Sequence, residues 1–160
     1  MDVKEKLNHY IEHATEEELS VLEQIADGLL AKQQNEQLTY LAGITKAETS
    51  QHDNETFEMR MPLGPLVHNP LQIVHGGMTA TLLDSTLGGA AMNSLPPHLT
   101  AVTSQLNIHY LRPGKGSFMR CIAKIVHKGK QLIVLEGEAF DDQERLLAKA
   151  TATFFVIPRR

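Results

Sequence analysis

A chain of 160 residues, 42% of them apolar, can build one domain with its own core and needs neither a metal nor a disulfide to hold it. Nineteen acidic against fifteen basic residues give a formal charge of -4, which excludes the broad basic footprint of a nucleic-acid binder. The single cysteine, Cys121, excludes an internal disulfide, and no run of eighteen apolar residues offers a membrane span. The opening stretch MDVKEKLNHYIEH also lacks the apolar run of a signal peptide, so a cytoplasmic protein is expected.

Residues 1–36 read as helical, with Leu7, Tyr10, Ile11 and Ala14 at helical spacing, then Leu19, Leu22, Ile25, Ala26 and Leu29. Thr15 and Glu18 have the spacing of a capping box, and Glu16 and Glu17 suit the first turn of a helix. Gly28 weakens the far end of that helix. Both apolar stripes need burial against the main body or another subunit. We therefore expect an N-terminal helical extension over 1–36 and a main domain over 37–160.

The period then changes. Leu41–Thr49 and Thr56–Met61 read as strands, and the polar run SQHDNE between them as a hairpin loop. PLGPLVHNP is an irregular connection. From Gly76 to about Met92 the pattern is a helix, apolar round most of its circumference and hence largely buried. Ala80, Gly88, Gly89, Ala90 and Ala91 would let strands wrap it closely. Gly88 and Gly89 each cost about 1 kcal/mol of helix propensity, which points to close approach by backbone or ligand, or to a bend.

Strands follow. Val102, Ser104, Leu106, Ile108 and Tyr110 alternate with Thr103, Gln105, Asn107 and His109. RPGKG turns the chain into Phe118–Val126, HKGK into Gln131–Phe140, and DDQE into a last strand over about Leu146–Ile157. The fold class is α+β: one long helix against an antiparallel sheet of five or six strands, its C-terminal half a meander.

The stretch NPLQIVHGGMTATLLD holds the candidate chemistry. A helix starting near Gly76 offers free backbone N–H groups and the positive end of its dipole. Glycine at Gly76 and Gly77 lets a ligand reach those amides, a suitable seat for an oxyanion. Asp84 is a carboxylate in an apolar run, costly unless paired or used, and is the candidate base or nucleophile on an acyl group. Eight residues of helix separate it from Gly76 by about 12 Å, too far for both to serve one carbonyl within one chain. A two-fold dimer brings the two groups together from different chains. Asn69 is a candidate for orienting water or substrate, or a turn residue before Pro70. His75, just before the glycines, suits loop fixation better than proton transfer. Thr103 is a hydroxyl that can position water.

NPLQIVHGGMTATLLDSTLGGAA followed by TSQLNIHYLRPGKG strongly resembles the hotdog-fold acyl-CoA thioesterases of the PaaI type, over roughly Leu38 to Val156. The resemblance implies a long helix wrapped by an antiparallel sheet, and homodimers with a continuous sheet that often form homotetramers. It also implies an acyl-CoA substrate, aromatic or of short to medium length, whose coenzyme A is no separate cofactor. By the same resemblance Asp84 is the catalytic carboxylate and Gly76 supplies the amide that polarises the thioester carbonyl. Asn69 and His75 stand beside them, and Thr103 assists with water. Arg112, Lys128 and Lys130 are expected near the nucleotide portion. Leu63, Leu66, Leu71, Met78 and Met92 are candidates for an apolar pocket or for ordinary core. The eight histidines show no ligand-like cluster, so no metal is expected. A non-catalytic acyl-CoA-binding module and a hotdog hydroxyacyl dehydratase are the alternatives.

Overall fold

The computed structural model describes residues 1–50 and 56–159. The chain divides into two units, Met1–Lys46 and Ala47–Arg160.

In the first unit, α1 (Val3–His13) and α2 (Glu16–Gln33) each start on a capping box, Asp2 with Glu5 and Thr15 with Glu18. Each box satisfies two backbone donors that a helix start otherwise leaves open. Gly28 does not end α2. It lies where a short helix α3 (Tyr40–Thr45) crosses, and a Cβ there would come within 2.4 Å of the Ile44 nitrogen. Gly43 meets the Gly28 carbonyl just as closely, so the two helices touch backbone to backbone. This corrects the strand expected from Leu41: residues 40–45 are helical, capped by the Thr39 side chain on the Ala42 N–H, and only Glu48–Ser50 is extended. The unit therefore closes after α3, past the 36/37 boundary expected above. The apolar stripe of α1 stays uncovered: Leu7, Tyr10 and Ile11 are exposed and no residue of α1 is buried.

The second unit holds β1 (Glu48–Ser50), β2 (Thr56–Pro62), a 3-10 turn at Pro65–Val67, α4 (Gly76–Asn93), β3 (Leu99–Tyr110), β4 (Phe118–Lys128), β5 (Leu132–Asp141) and β6 (Leu146–Pro158). The expected SQHDNE hairpin loop lies, from Gln51 on, outside the described residues. All strand pairs are antiparallel, in the order β1-β2-β4-β5-β6-β3. Only β4, β5 and β6 form a meander. The RPGKG segment does not make a hairpin between β3 and β4, because α4 crosses the sheet and delivers β3 to the edge beyond β6.

Helix α4 packs on β2 through β6 and buries Leu82, Leu83 and Leu87 against Met119, Cys121, Ile133, Leu135 and Phe154. Each of those leucines contributes about 1.5–3 kcal/mol. The facing residues of β6, Ala148, Ala150 and Ala152, are small enough to let the helix approach. Gly89 answers the question its position raised: a Cβ would sit 2.3 Å from the Phe57 ring, so the close neighbour is an aromatic side chain and the helix continues through it.

The alternation expected along β3 breaks at Ser104. Thr103 pairs with Phe154 but Gln105 with Thr153, so Ser104 is an inserted residue and its hydroxyl donates to the Thr153 carbonyl. Cross-strand partners share a face, and Phe154 is core. Thr103 consequently joins Leu106, Ile108 and Tyr110 on the helix side, while Val102 does not. Among the described residues no helix is long and apolar enough to cross a membrane.

Candidate active site

His75 is the N-cap of α4, with the extended backbone (φ -62°, ψ 131°) that a cap adopts. Its Nδ1 accepts a hydrogen bond from the Gly77 N–H at 2.9 Å, so in the neutral ring the proton sits on Nε2. The His75 carbonyl takes the next two amides, those of Met78 and Thr79. The Gly76 N–H is left without an acceptor among the described residues. Of the two glycines expected to offer amides, Gly76 is open and Gly77 is committed to its own cap.

The protein itself does not require glycine at position 76. Its φ is not positive, and a Cβ would meet only the Tyr110 ring at an ordinary 3.6 Å. Space kept free at an open amide is space for a ligand.

Asp84 stands two turns further along α4, half-buried, and its Oδ1 accepts from the Thr103 hydroxyl at 2.9 Å. The structure thus joins Thr103 to Asp84 directly. About 12 Å of helix axis separates this pair from Gly76. Gly77, Ser85 and Met92 are exposed on α4, and Thr81, Asp84 and Gly88 are only partly covered, so one long side of the helix is open.

Around the helix start, Asn69, Ile73, Gly76, Tyr110, Arg112 and Leu147 border a cleft of about 370 Å³. The Asn69 side-chain oxygen accepts from the Leu71 and Ile73 N–H groups and folds its own loop, while its backbone pairs with Ile73 and Gln72. Its amide nitrogen has no acceptor among the described residues, and Asn69 as a residue borders the cleft. Arg112 spends one guanidinium nitrogen on the Leu146 carbonyl at 2.8 Å and keeps the rest of the group exposed. Tyr110, which the sequence did not single out, donates its hydroxyl hydrogen to the Gly76 carbonyl at 3.0 Å.

Lys128 and Lys130 are not part of this cluster. Lys128 Nζ donates to the carbonyl of Ser94, the C-cap of α4, and Lys130 is exposed in the β4–β5 turn. Ser94 lies eighteen residues after Gly76, roughly 27 Å along the axis. Met78, Leu63 and Leu66 pack on the core, whereas Leu71 and Met92 are exposed. Among the described residues no cluster of histidine, cysteine and carboxylate could hold a metal. A second cavity, of about 440 Å³, lies on the outer face of the sheet beside Lys124, Glu136, Glu138 and Lys149. Its charges answer one another, with Lys149 2.6 Å from Glu138, and it is on the opposite side from Asp84.

Residues 71–148 match the sequence pattern of the thioesterase superfamily. The crystal structure of the BH2602 protein from Bacillus halodurans with CoA superposes with a TM-score of 0.90 at 49% identity, covering 97% of this chain and 100% of that one. The putative esterase ComA2 of Bacillus subtilis is 31% identical over 62% of this chain and 79% of its own length. The medium/long-chain acyl-CoA thioesterase YigI of Escherichia coli is 30% identical over 52% of this chain and 63% of its own. The chain spans as little as 55% of the length of the curated relatives it matches. The matched segment runs from the loop before α4 into β6 and so includes both the open amide and Asp84; this chain belongs to the hotdog-fold thioesterase superfamily.

Proposed function

We propose that the protein hydrolyses an acyl-CoA thioester to the free acid and coenzyme A, at a site that two copies of the chain build together. The observation that carries this reading is the unused Gly76 amide at a helix start where only a ligand needs the room, with a hydroxyl-supported carboxylate on the same open helix side. The CoA in the Bacillus halodurans relative and the acyl-CoA thioester named for YigI supply the substrate class.

In the reaction the thioester carbonyl oxygen points at the Gly76 N–H of one copy. Asp84 of the other copy takes a proton from water as its oxygen bonds to the carbonyl carbon. Negative charge gathers on the carbonyl oxygen and is met by the amide. As the C–S bond breaks, the proton on Asp84 passes to the leaving sulfur. Direct attack by Asp84 gives the same products through a mixed anhydride, and single turnover in 18O-labelled water separates the routes. Label in Asp84 marks an anhydride opened at the aspartyl carbon; label confined to the acid, with no acyl-enzyme trapped by hydroxylamine, marks water attack.

Strand β3 is the natural seam for the second copy, a twelve-residue edge strand paired on one side only. Arg112 meets the phosphates of the nucleotide. Lys128 and Lys130, at the other end of α4, serve the neighbour's site in an antiparallel pair, and pairs can associate again as tetramers. A buried thiol, Cys121, suits a cytoplasmic setting.

The test mixes two inactive variants, Gly76→Pro and Asp84→Asn. In a shared site each heterodimer regains one complete site, so free exchange at equal amounts returns about a quarter of wild-type turnover. No recovery after demonstrated exchange, or full activity in a strict monomer, sinks the shared site.

A further inference from the structure

Tyr110 ends β3, more than half exposed, and reaches across to the first turn of α4. Its hydroxyl donates to the Gly76 carbonyl at 3.0 Å. That carbonyl and the Gly77 N–H belong to one peptide group, and the Gly77 N–H donates to His75 Nδ1 at 2.9 Å. The peptide between Gly76 and Gly77 is therefore held at both ends by side chains, one from the edge strand and one from the cap.

Such tethering answers a specific difficulty. Glycine is the most permissive residue and helix ends fray, so an amide on Gly76 would swing through a wide range unaided. An oxyanion donor works only when its direction is set before the reaction. Fixing the plane after Gly76 restricts rotation at its Cα and so restricts where its N–H points.

We propose that Tyr110 is a positioning residue for hydrolysis: through its bond to the Gly76 carbonyl it aims the Gly76 N–H, and through the Gly77 N–H it helps keep His75 as the Nε2–H tautomer. This rests on the hydrolase reading for its kinetic arm only. Tyr110 touches no reacting atom. His75, with Nδ1 engaged, can serve the cleft only as an Nε2–H donor. The same strand carries Thr103 to Asp84, so β3 braces the amide of one half-site and the carboxylate of the other.

Tyr110→Phe keeps the ring against Gly76 and removes the donor. Against acyl-CoA thioesters we expect kcat to fall about tenfold while KM stays within about twofold, the signature of a group acting on the transition state. The second readout needs no substrate: the imidazole 15N spectrum of His75 should show Nε2 protonated in the wild-type protein and a shifted Nδ1 resonance in Tyr110→Phe. Unchanged kcat with an unchanged His75 spectrum overturns the proposal. So does a loss of activity that follows only loss of folded protein or dissociation of the oligomer. If the wild-type protein releases no thiol from any thioester, the hydrolase reading fails, and the His75 spectrum still decides whether Tyr110 sets that peptide.

Discussion

The Thr103 hydroxyl meets the Asp84 carboxylate at 2.9 Å because Ser104 is an extra residue in β3. Were Ser104 paired in regular alternation, Thr103 would lie on the same face as Gln105, pointing away from α4. Bulges re-aim side chains in this way, and they shift register on one side only. A bond from a hydroxyl to a charged carboxylate is worth about 1.5–3 kcal/mol at most, less at this partly exposed site. Thr103→Val should therefore lower kcat about tenfold, while Thr103→Ser retains most of it. Deleting Ser104 leaves Thr103 opposite Phe154 and Gln105 opposite Thr153 in a regular ladder, each on its present face, so it should cost less turnover than Thr103→Val. Steady-state kinetics on the three variants checks the ordering.

The amide at Gly76 admits a cleaner substitution than most backbone groups. Residue 76 is the first of α4, where proline is at home, and the extended backbone of His75 is what a residue before proline adopts. Gly76→Pro should thus keep the melting temperature close to wild type while removing the one N–H in question. We expect kcat to fall about a hundredfold or more, the usual cost of an oxyanion donor. Gly76→Ala keeps the N–H and is tolerated by Tyr110, so its loss of activity measures how closely the substrate approaches the Cα. Equal activity in both variants and wild type would remove Gly76 from the site.

Much of this site could be read from residues 69–84 alone. The glycines mark a helix start, the helix rise separates Gly76 from Asp84, and the cap at His75 follows from its place before the first turn. What escaped reading depends on neighbours distant in sequence. Residues 41–45 alternate well enough to look like a strand, and only the cap at Thr39 signals the helix that Gly28 and Gly43 make room for. A bulge leaves no composition mark, since Ser104 fits the alternation as well as any residue. Tyr110 looks like one more inward strand residue until its partner, 34 positions earlier, is known. Lys128 has the charge for a phosphate and the position for a helix end, and sequence cannot choose between them.

The two basic residues named for the nucleotide should separate in kinetics. Arg112 stands at the cleft, so Arg112→Gln should raise KM for the CoA ester several-fold, about 1 kcal/mol of binding, with kcat little changed. Lys128 donates to the Ser94 carbonyl at the negative end of α4. Lys128→Met should therefore lower stability by about 0.3–1 kcal/mol, whatever it does to KM. Denaturant melts beside the kinetics distinguish the two roles. An unchanged KM in Arg112→Gln takes that residue off the site.

Gly89 makes a prediction about the core rather than the chemistry. A methyl group there would collide with the Phe57 ring, so Gly89→Ala should destabilise by about 1–3 kcal/mol despite its gain in helix propensity. The double variant with Phe57→Leu should recover part of that loss, since the ring is the obstacle. Gly88→Ala, whose added carbon would meet Phe154 at 3.4 Å, should be close to neutral. Equal destabilisation at both positions would argue against the ring.

Stability against acid turns on the β5–β6 hairpin. Asp141 has no exposed side-chain surface, and burial alone would raise its pKa. The Arg145 and Gln143 N–H groups and the Arg145 guanidinium outweigh that and hold the carboxyl below its ordinary value. A carboxyl depressed in the folded state binds its proton more readily once unfolded. Its stabilisation is therefore present above the unfolded value, about 3.9, and is lost as pH falls through the lower folded value. Asp141→Asn should lower the denaturant midpoint at pH 7 and narrow the gap to wild type below about pH 3. A gap of constant size from pH 7 to pH 2.5 would mean that the hairpin needs the side chain's shape and not its charge.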